Sequence, residues 1–350
     1  MPYRDLLDRL EGGLSTDGSV VALPDGSVDT YYRIFEGRRT PVGSRERFAE
    51  LVADGRTSSL RVERVSREAG GQAVNLARQV DALGVPVELY GHLDDPVFDS
   101  LGFPSRSMGE PAAVEVYDFA DDDLMFSEDS ADVATWSLAD LGSVPGAVDA
   151  VESAAVLGVA NWVSVRGMDA ALRELAALDL AGTTVLVDPG DLTGCSAGEL
   201  EGLLDALGRL ADAAAVVVST NAAETAALAR VAGGSVDETV GIDERLVRIR
   251  DRAGLAAAVS HERARAVAHT PDGSVRVPNV PTPRVERRTG AGDRFDGALA
   301  VALAADWGWE PALALGNACA SHFVATARTA DTDGLASFLR EVSFPERGDQ

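Results

Sequence analysis

The sequence predicts a doubly wound, largely parallel α/β sheet flanked by helices, with a small β lid, and three observations carry that expectation. Four short runs, Ala154 to Val159, Thr183 to Val187, Ala214 to Ser219 and Leu255 to Val259, are almost wholly apolar. Strands of that composition are buried on both faces, as parallel sheets require. Helical patterns follow them at roughly 167–178, 197–212, 222–232 and 240–253, so strand and helix alternate. Two other runs, Leu60 to Val65 and Ala113 to Phe119, alternate apolar with polar residues, as strands with one wet face do.

The chain of 350 residues with 46% hydrophobic composition can bury a large core. No repeat or low-complexity linker divides it, which favours one domain over 1–350 with lid segments at 31–66 and 111–128. No apolar run reaches the roughly 18 residues of a membrane span. Met1 to Leu10 carries Arg4, Asp5, Asp8 and Arg9 and has no apolar signal core, so a cytoplasmic, soluble protein is expected. Cys195 and Cys319 form no Cys-x-x-Cys unit, and neither a disulfide framework nor a zinc site is indicated.

Charge narrows the function. The net charge is -25, and all 31 basic residues are arginine. A chain this acidic repels nucleic acid and anionic membrane, so neither is an expected partner. Its self-repulsion is relieved when salt screens it, which points to adaptation to a salt-rich cytoplasm. The missing lysine excludes a Walker loop, a protein-kinase strand lysine and Schiff-base chemistry. Charge stabilisation must come from backbone N–H groups, arginine or metal.

Taken in order, residues 3–14 read as a short amphipathic helix, followed by the strand Ser19 to Leu23. The turn Pro24 to Asp29 is expected to deliver Asp29 beyond a strand end, where open α/β sheets bind ligands; a turn cap is the competing role. From Tyr31 to Val65 the pattern weakens. Gly70 and Gly71 then open a helix running to Leu83, with Asn75 offering a donor and an acceptor to a sugar hydroxyl, and Val85 to Tyr90 reads as a strand. Ala113 to Phe119, before Asp121-Asp122-Asp123, is expected to pair with Leu60 to Val65 as the lid. Such a lid also offers a surface for a homodimer.

The later strand ends hold Asp188 with Asp191, and Asn221-Ala222-Ala223-Glu224. Asn221 and Glu224 have capping-box spacing. The functional reading sets Glu224 near a magnesium-bound water, since magnesium keeps much of its hydration. Two alanine-rich helices follow, Arg294 to Asp306 and Glu310 to Ala327, the second carrying Asn317, Cys319 and His322. His92, His261 and His269 show no triad or metal spacing.

Chemistry concentrates at Thr289-Gly290-Ala291-Gly292-Asp293. Gly290 and Gly292 let the backbone approach a bound group, and the free N–H groups of the following helix favour phosphate. A carboxylate beside a phosphate cradle costs Coulomb energy unless it works, and the work available to Asp293 is taking a proton from an attacking hydroxyl. The stretch therefore suggests phosphoryl transfer to an alcohol. A helix start with an acidic residue that complements the dipole is the competing reading.

Together, Gly70-Gly71-x-x-x-Asn75-x-Ala77, Asn221-x-x-Glu224 and Gly290-Ala291-Gly292-Asp293-x-Phe295 resemble the ribokinase-like carbohydrate kinase family, in order and spacing, over about residues 19–340. The resemblance implies a sheet flanked by helices, a β lid, a sugar substrate, ATP as donor and magnesium as cofactor. It implies Asp293 as the base and the amides of Gly290, Ala291 and Gly292 as the anion hole. Asp29, Gly70, Gly71 and Asn75 would contact the sugar. Asn221, Glu224, Ser260, Thr289 and Asn317 would serve the nucleotide, with Glu224 reaching magnesium through water.

Two departures stand out. Arg287-Arg288 replaces the family's usual Asp-Thr, whose aspartate serves a monovalent-cation site in many relatives, so Arg287 is expected to supply positive charge instead. Ser260 to Arg265 lacks the glycines of the family's Thr-x-Gly-x-x-Gly stretch. A nucleoside kinase of the same fold, and a sugar- or nucleotide-binding protein without turnover, are the alternatives.

Overall fold

The computed structural model describes residues 2–14, 16–120, 123–128, 130–233, 240–282 and 284–342. In chain order the strands are β1 (Val20–Leu23), β2 (Ser27–Glu36), β3 (Thr40–Pro41), β4 (Arg61–Gly70), β5 (Val87–Gly91), β6 (Ser105–Ser107) and β7 (Ala112–Tyr117). They continue as β8 (Leu124–Glu128), β9 (Val156–Ala160), β10 (Thr184–Asp188), β11 (Ala215–Asn221), β12 (Ala257–His261), β13 (Arg265–Thr270) and β14 (Gly273–Pro278).

The main sheet has the order β14-β13-β12-β11-β10-β9-β1-β5-β6. From β12 to β6 the neighbours are parallel, and the four apolar runs form β9 to β12. The period of two splits each strand between two cores. Val20 and Ala22 pack with Leu76, Val80, Phe295 and Leu299 on one face, while Val21 and Leu23 join Leu172, Leu203 and Leu246 on the other. Helices thus cover both faces, as expected for a doubly wound sheet. The antiparallel hairpin β13–β14 extends the β12 edge. Its short strands lack the helix between them that marks the rest of this half.

Because β5 and β6 extend the sheet one way from β1 while β9 returns on its other side, the winding reverses between β1 and β9. In open α/β sheets this reversal point, at the carboxyl ends of the strands, is where ligands bind. Asp25 follows β1, Asn161 follows β9 and Asp188 ends β10 on that edge.

The second sheet is the lid, and here two expectations are corrected. Leu60 to Val65 and Ala113 to Phe119 do not pair with each other. Both flank β2, antiparallel through β4 and parallel through β7. Asp29 lies inside β2, opposite Glu68, rather than in a turn beyond a strand end. Polar Asp29, Thr30 and Arg33 and a register shift at Tyr31/Tyr32 blur the alternation that would have marked β2. The lid has a small core of Ile34, Val42, Leu51 and Phe119, and the Tyr32 and Tyr117 rings stack 5.6 Å apart. Val62, Val65, Met125 and Phe126 remain exposed. Of the acidic turn, Asp121 and Asp122 lie outside the described residues.

The late helices span Ala291–Ala304 and Trp309–Thr326. The first starts three residues earlier than expected, because Gly290 in the left-handed region (φ 88°) turns the chain straight into it. This places Gly292 and Asp293 in the first helical turn. Among the described residues no helix is long and apolar enough to cross a membrane.

Candidate active site

The early glycines are fixed by close approach. A Cβ on Gly70 would lie 2.2 Å from Asp29 Oδ2, so only glycine leaves room for that carboxylate. Asp29 Oδ1 accepts a 2.5 Å hydrogen bond from Ser27 Oγ. Burial pushes Asp29 above the usual carboxylate range, with nearby Glu68 adding to the rise. Gly71, at φ 103°, precedes the helix Gln72–Ala82. The backbone amides of Gln72 and Ala73 donate to Asp25, at 2.9 and 2.7 Å, and Asn161 Nδ2 donates to it at 3.0 Å. Asp25 thus ties the ends of β1 and β9 to the helix that carries Asn75.

Asn75 Nδ2 donates to Asp293 Oδ2 at 2.7 Å, joining the early and late motifs across 218 residues of sequence. Asp293 is only 9% exposed. Burial, reinforced by the charge of Asp188, raises it to about 7. The turn before it is partly committed: the Ala291 amide donates to the Arg288 carbonyl at 3.0 Å, which removes Ala291 from the expected anion hole. The amides of Gly292 and Asp293 remain in the first turn, where no intrahelical partner exists.

Asn221 and Glu224 form the capping box that starts the helix Ala222–Ala232. Both Glu224 oxygens accept from Asn221, at 2.8 Å from its amide and 2.5 Å from Nδ2. Burial, then the charge of Asp188, lifts Glu224 to about 8, and burial lifts Asp188 to about 6. Carboxyl groups that push one another up mark a region short of positive charge, and their oxygens suit a hydrated hard cation. Among the described residues no three such groups converge tightly enough to cage a bare ion.

Thr289 and Arg287 face the lid. Thr289 Oγ1 donates to Asp123 at 3.1 Å, while Arg287 pairs with Glu68 at 3.3 Å and lies over the Tyr31 ring. Ser260 and Asn317 correct their reading as nucleotide contacts through the side chain. Ser260 is fully buried and accepts from Thr225 Oγ1 at 3.0 Å, and Asn317, 1% exposed, donates to the Val277 carbonyl at 2.9 Å. Both satisfy core polar groups instead.

Three neighbours of the glycine turn were not among the residues the sequence singled out. The His261 ring packs on Phe295 and would lie 3.1 Å from a Cβ on Gly292, and desolvation lowers it to about 4, which keeps it neutral. Asp296, one helical turn beyond Asp293, is wholly buried and held well above the carboxylate range by burial and by Asp188. Arg294 is 5% exposed and stacks over Phe323. Only the i, i+3 spacing of Asp293 and Asp296 could have hinted at this cluster.

Solved structures share this architecture. Ribokinase of Arabidopsis thaliana complexed with ribose and ATP matches with a TM-score of 0.67 at 18% identity, covering 92% of this chain and 99% of that one. Escherichia coli phosphofructokinase-2 in complex with fructose-6-phosphate matches with a TM-score of 0.67 at 16% identity, covering 93% and 99%. The fold and motifs define a carbohydrate kinase of the ribokinase-like class.

The family model described as prokaryotic ketohexokinase matches residues 12–342. A ketohexokinase of Haloferax volcanii is 31% identical, over 95% of this chain and 92% of its own length. The chain belongs to the prokaryotic ketohexokinase family.

Proposed function

We propose that the protein transfers the terminal phosphoryl group of ATP to a hydroxyl of a free ketohexose, with Asp293 as general base. The observation that carries this reading is the Asn75 to Asp293 hydrogen bond, which sets a sugar-binding amide beside a carboxyl group at a helix N-terminus. A base near 7 is matched to neutral pH, accepting a proton without being fully protonated beforehand.

Asp293 takes the hydroxyl proton as the sugar oxygen bonds to phosphorus and the bond to the departing ADP oxygen breaks. The amides of Gly292 and Asp293 receive the charge of the migrating phosphoryl group. Asp29, Gly70, Gly71 and Asn75 orient the sugar, and Thr289 and Arg287 draw the lid down to exclude water. ATP would supply the phosphoryl group, and magnesium, which Glu224 with Asn221 alongside would hold through water, would neutralise phosphate charge.

A panel of ketoses, aldoses and nucleosides assayed for ADP release in high salt tests this. Turnover confined to ketohexoses is expected. Turnover with nucleosides alone, or with none of the panel, overturns the substrate assignment.

A further inference from the structure

The lid turns two faces in opposite directions, because side chains alternate along a strand. Asp29 and Tyr31 point to the active-site side, where Glu68 pairs opposite Asp29 and Arg287 lies over the Tyr31 ring. Tyr32 therefore stands on the outer face. The register carries its strand partners there too: Arg64 on β4, Tyr117 on β7 and, opposite Tyr117, Leu124 on β8. One step along, Glu115 and Phe126 share that face. At its far end the helix Arg45–Ala53 packs Leu51 with Ile34. Over the rest, Phe126 stays 52% exposed, its ring edge-on to Tyr117 at 5.6 Å.

Exposed apolar surface is concentrated here. Of the seven large apolar side chains exposed among the described residues, five belong to the lid: Val52, Val62, Val65, Met125 and Phe126. Clustered apolar exposure marks an interaction site, where single exposed side chains do not. Charge says what the partner is. Residues 31–66 carry eight arginines and five acids, whereas 111–128 carry six acids and no base. The lid is thus basic in its β2–β4 half and acidic in its β7–β8 half. On the outer face Arg64 lies on the β4 edge, Glu115 on β7 and Glu128 on the β8 edge, with the rings of Tyr32, Tyr117 and Phe126 beside them. Among the described residues neither Arg64 nor Glu128 has an ion-pair partner.

A surface with opposite charge on opposite edges is complementary to itself after a half-turn. We propose that the outer lid face binds a second copy of this chain, the two lids packed face to face about a two-fold axis along the strands. That axis sets β4 of each copy over β8 of the other. Arg64 then meets Glu115 and Glu128 across the interface, while Tyr32, Tyr117 and Phe126 from both copies exclude water. The face carrying Asp29 and Glu68 stays turned to the active site, so association and turnover use opposite faces of one sheet.

The test is sedimentation equilibrium of the full chain in molar potassium chloride, where the repulsion between two acidic chains is screened. A concentration-dependent mass reaching twice that of one chain is expected. Phe126→Asp sets an uncompensated charge among the rings and should weaken dimerisation by about tenfold or more. Arg64→Glu, on an exposed position, should weaken it several-fold, and adding Glu115→Arg should recover part of that loss, because the pair is only exchanged. Circular dichroism compares the folding of each variant with wild type. A single-chain mass at every concentration, or a dimer untouched by Phe126→Asp, overturns the proposal. A double variant no tighter than Arg64→Glu overturns the two-fold arrangement. The readout is mass and not turnover, so the kinase assignment and the dimer stand or fall separately.

Discussion

The role proposed for Asp293 rests on its burial. An exposed aspartate titrates near 3.9, whereas this one is lifted to about 7 while Asn75 still donates to it. Replacing it by asparagine keeps the shape and removes the proposed base, so kcat should fall by roughly 10² to 10⁴ with sugar affinity retained. Steady-state rates beside equilibrium binding of the sugar check this, and an unchanged kcat would refute the assignment. The same burial sets a pH dependence. A carboxyl group raised in the folded state stabilises the fold below the ordinary carboxylate range and loses that contribution as pH climbs through about 7. Activity moves the other way, since the base must be ionised: kcat/KM should drop on the acid side of about pH 7. Between pH 5 and 8 the melting temperature of wild type should fall relative to Asp293→Asn. Parallel melting curves for the two proteins would show that Asp293 is not the group responsible.

At the scale of elements, the site depends on two helices meeting at backbone distance. Helix Gln72–Ala82 brings Asn75, and helix Ala291–Ala304 brings Asp293. A Cβ on Gly297 would lie 2.5 Å from the Leu76 carbonyl oxygen and 2.7 Å from Gln79 Cβ. Backbone cannot give way as a flexible side chain can, so Gly297→Ala should destabilise the fold by about 1–3 kcal/mol in urea unfolding. Sugar affinity should weaken as Asn75 and Asp293 separate. Stability within 0.5 kcal/mol of wild type, about the range of a neutral surface change, would show that the contact is not tight. The lid makes a contrasting case. Arg287 and Glu68 are both partly exposed, 24% and 43% by side chain, so their pair contributes at most about 1 kcal/mol. Arg287→Ala should leave melting nearly unchanged and raise KM for sugar several-fold, because the lid closes less often; unaltered KM would separate Arg287 from closure.

At the scale of the molecule, charge governs behaviour. A net charge of -25 repels itself in dilute buffer, and screening falls to roughly 3 Å in molar salt. Melting should rise from low salt to molar potassium chloride. Equal melting in both would argue against the salt-adapted reading.

The sequence by itself determined the alternating α/β plan, the late glycine turn with Asp293 and the order of the three motifs. These are local: apolar runs, helical spacing and short motifs are written within a few residues of one another. Only the tertiary structure decided that β2 runs between β4 and β7, that Asp29 lies in a strand against Gly70, and that Ser260 and Asn317 turn into the core. It also gathered Asp296, His261 and Arg294 around the turn. Strand partners and the side chain's choice between cleft and core arise from contacts made across long stretches of chain. The broken alternation of β2 suits either a strand or a loop, and its neighbours settle which.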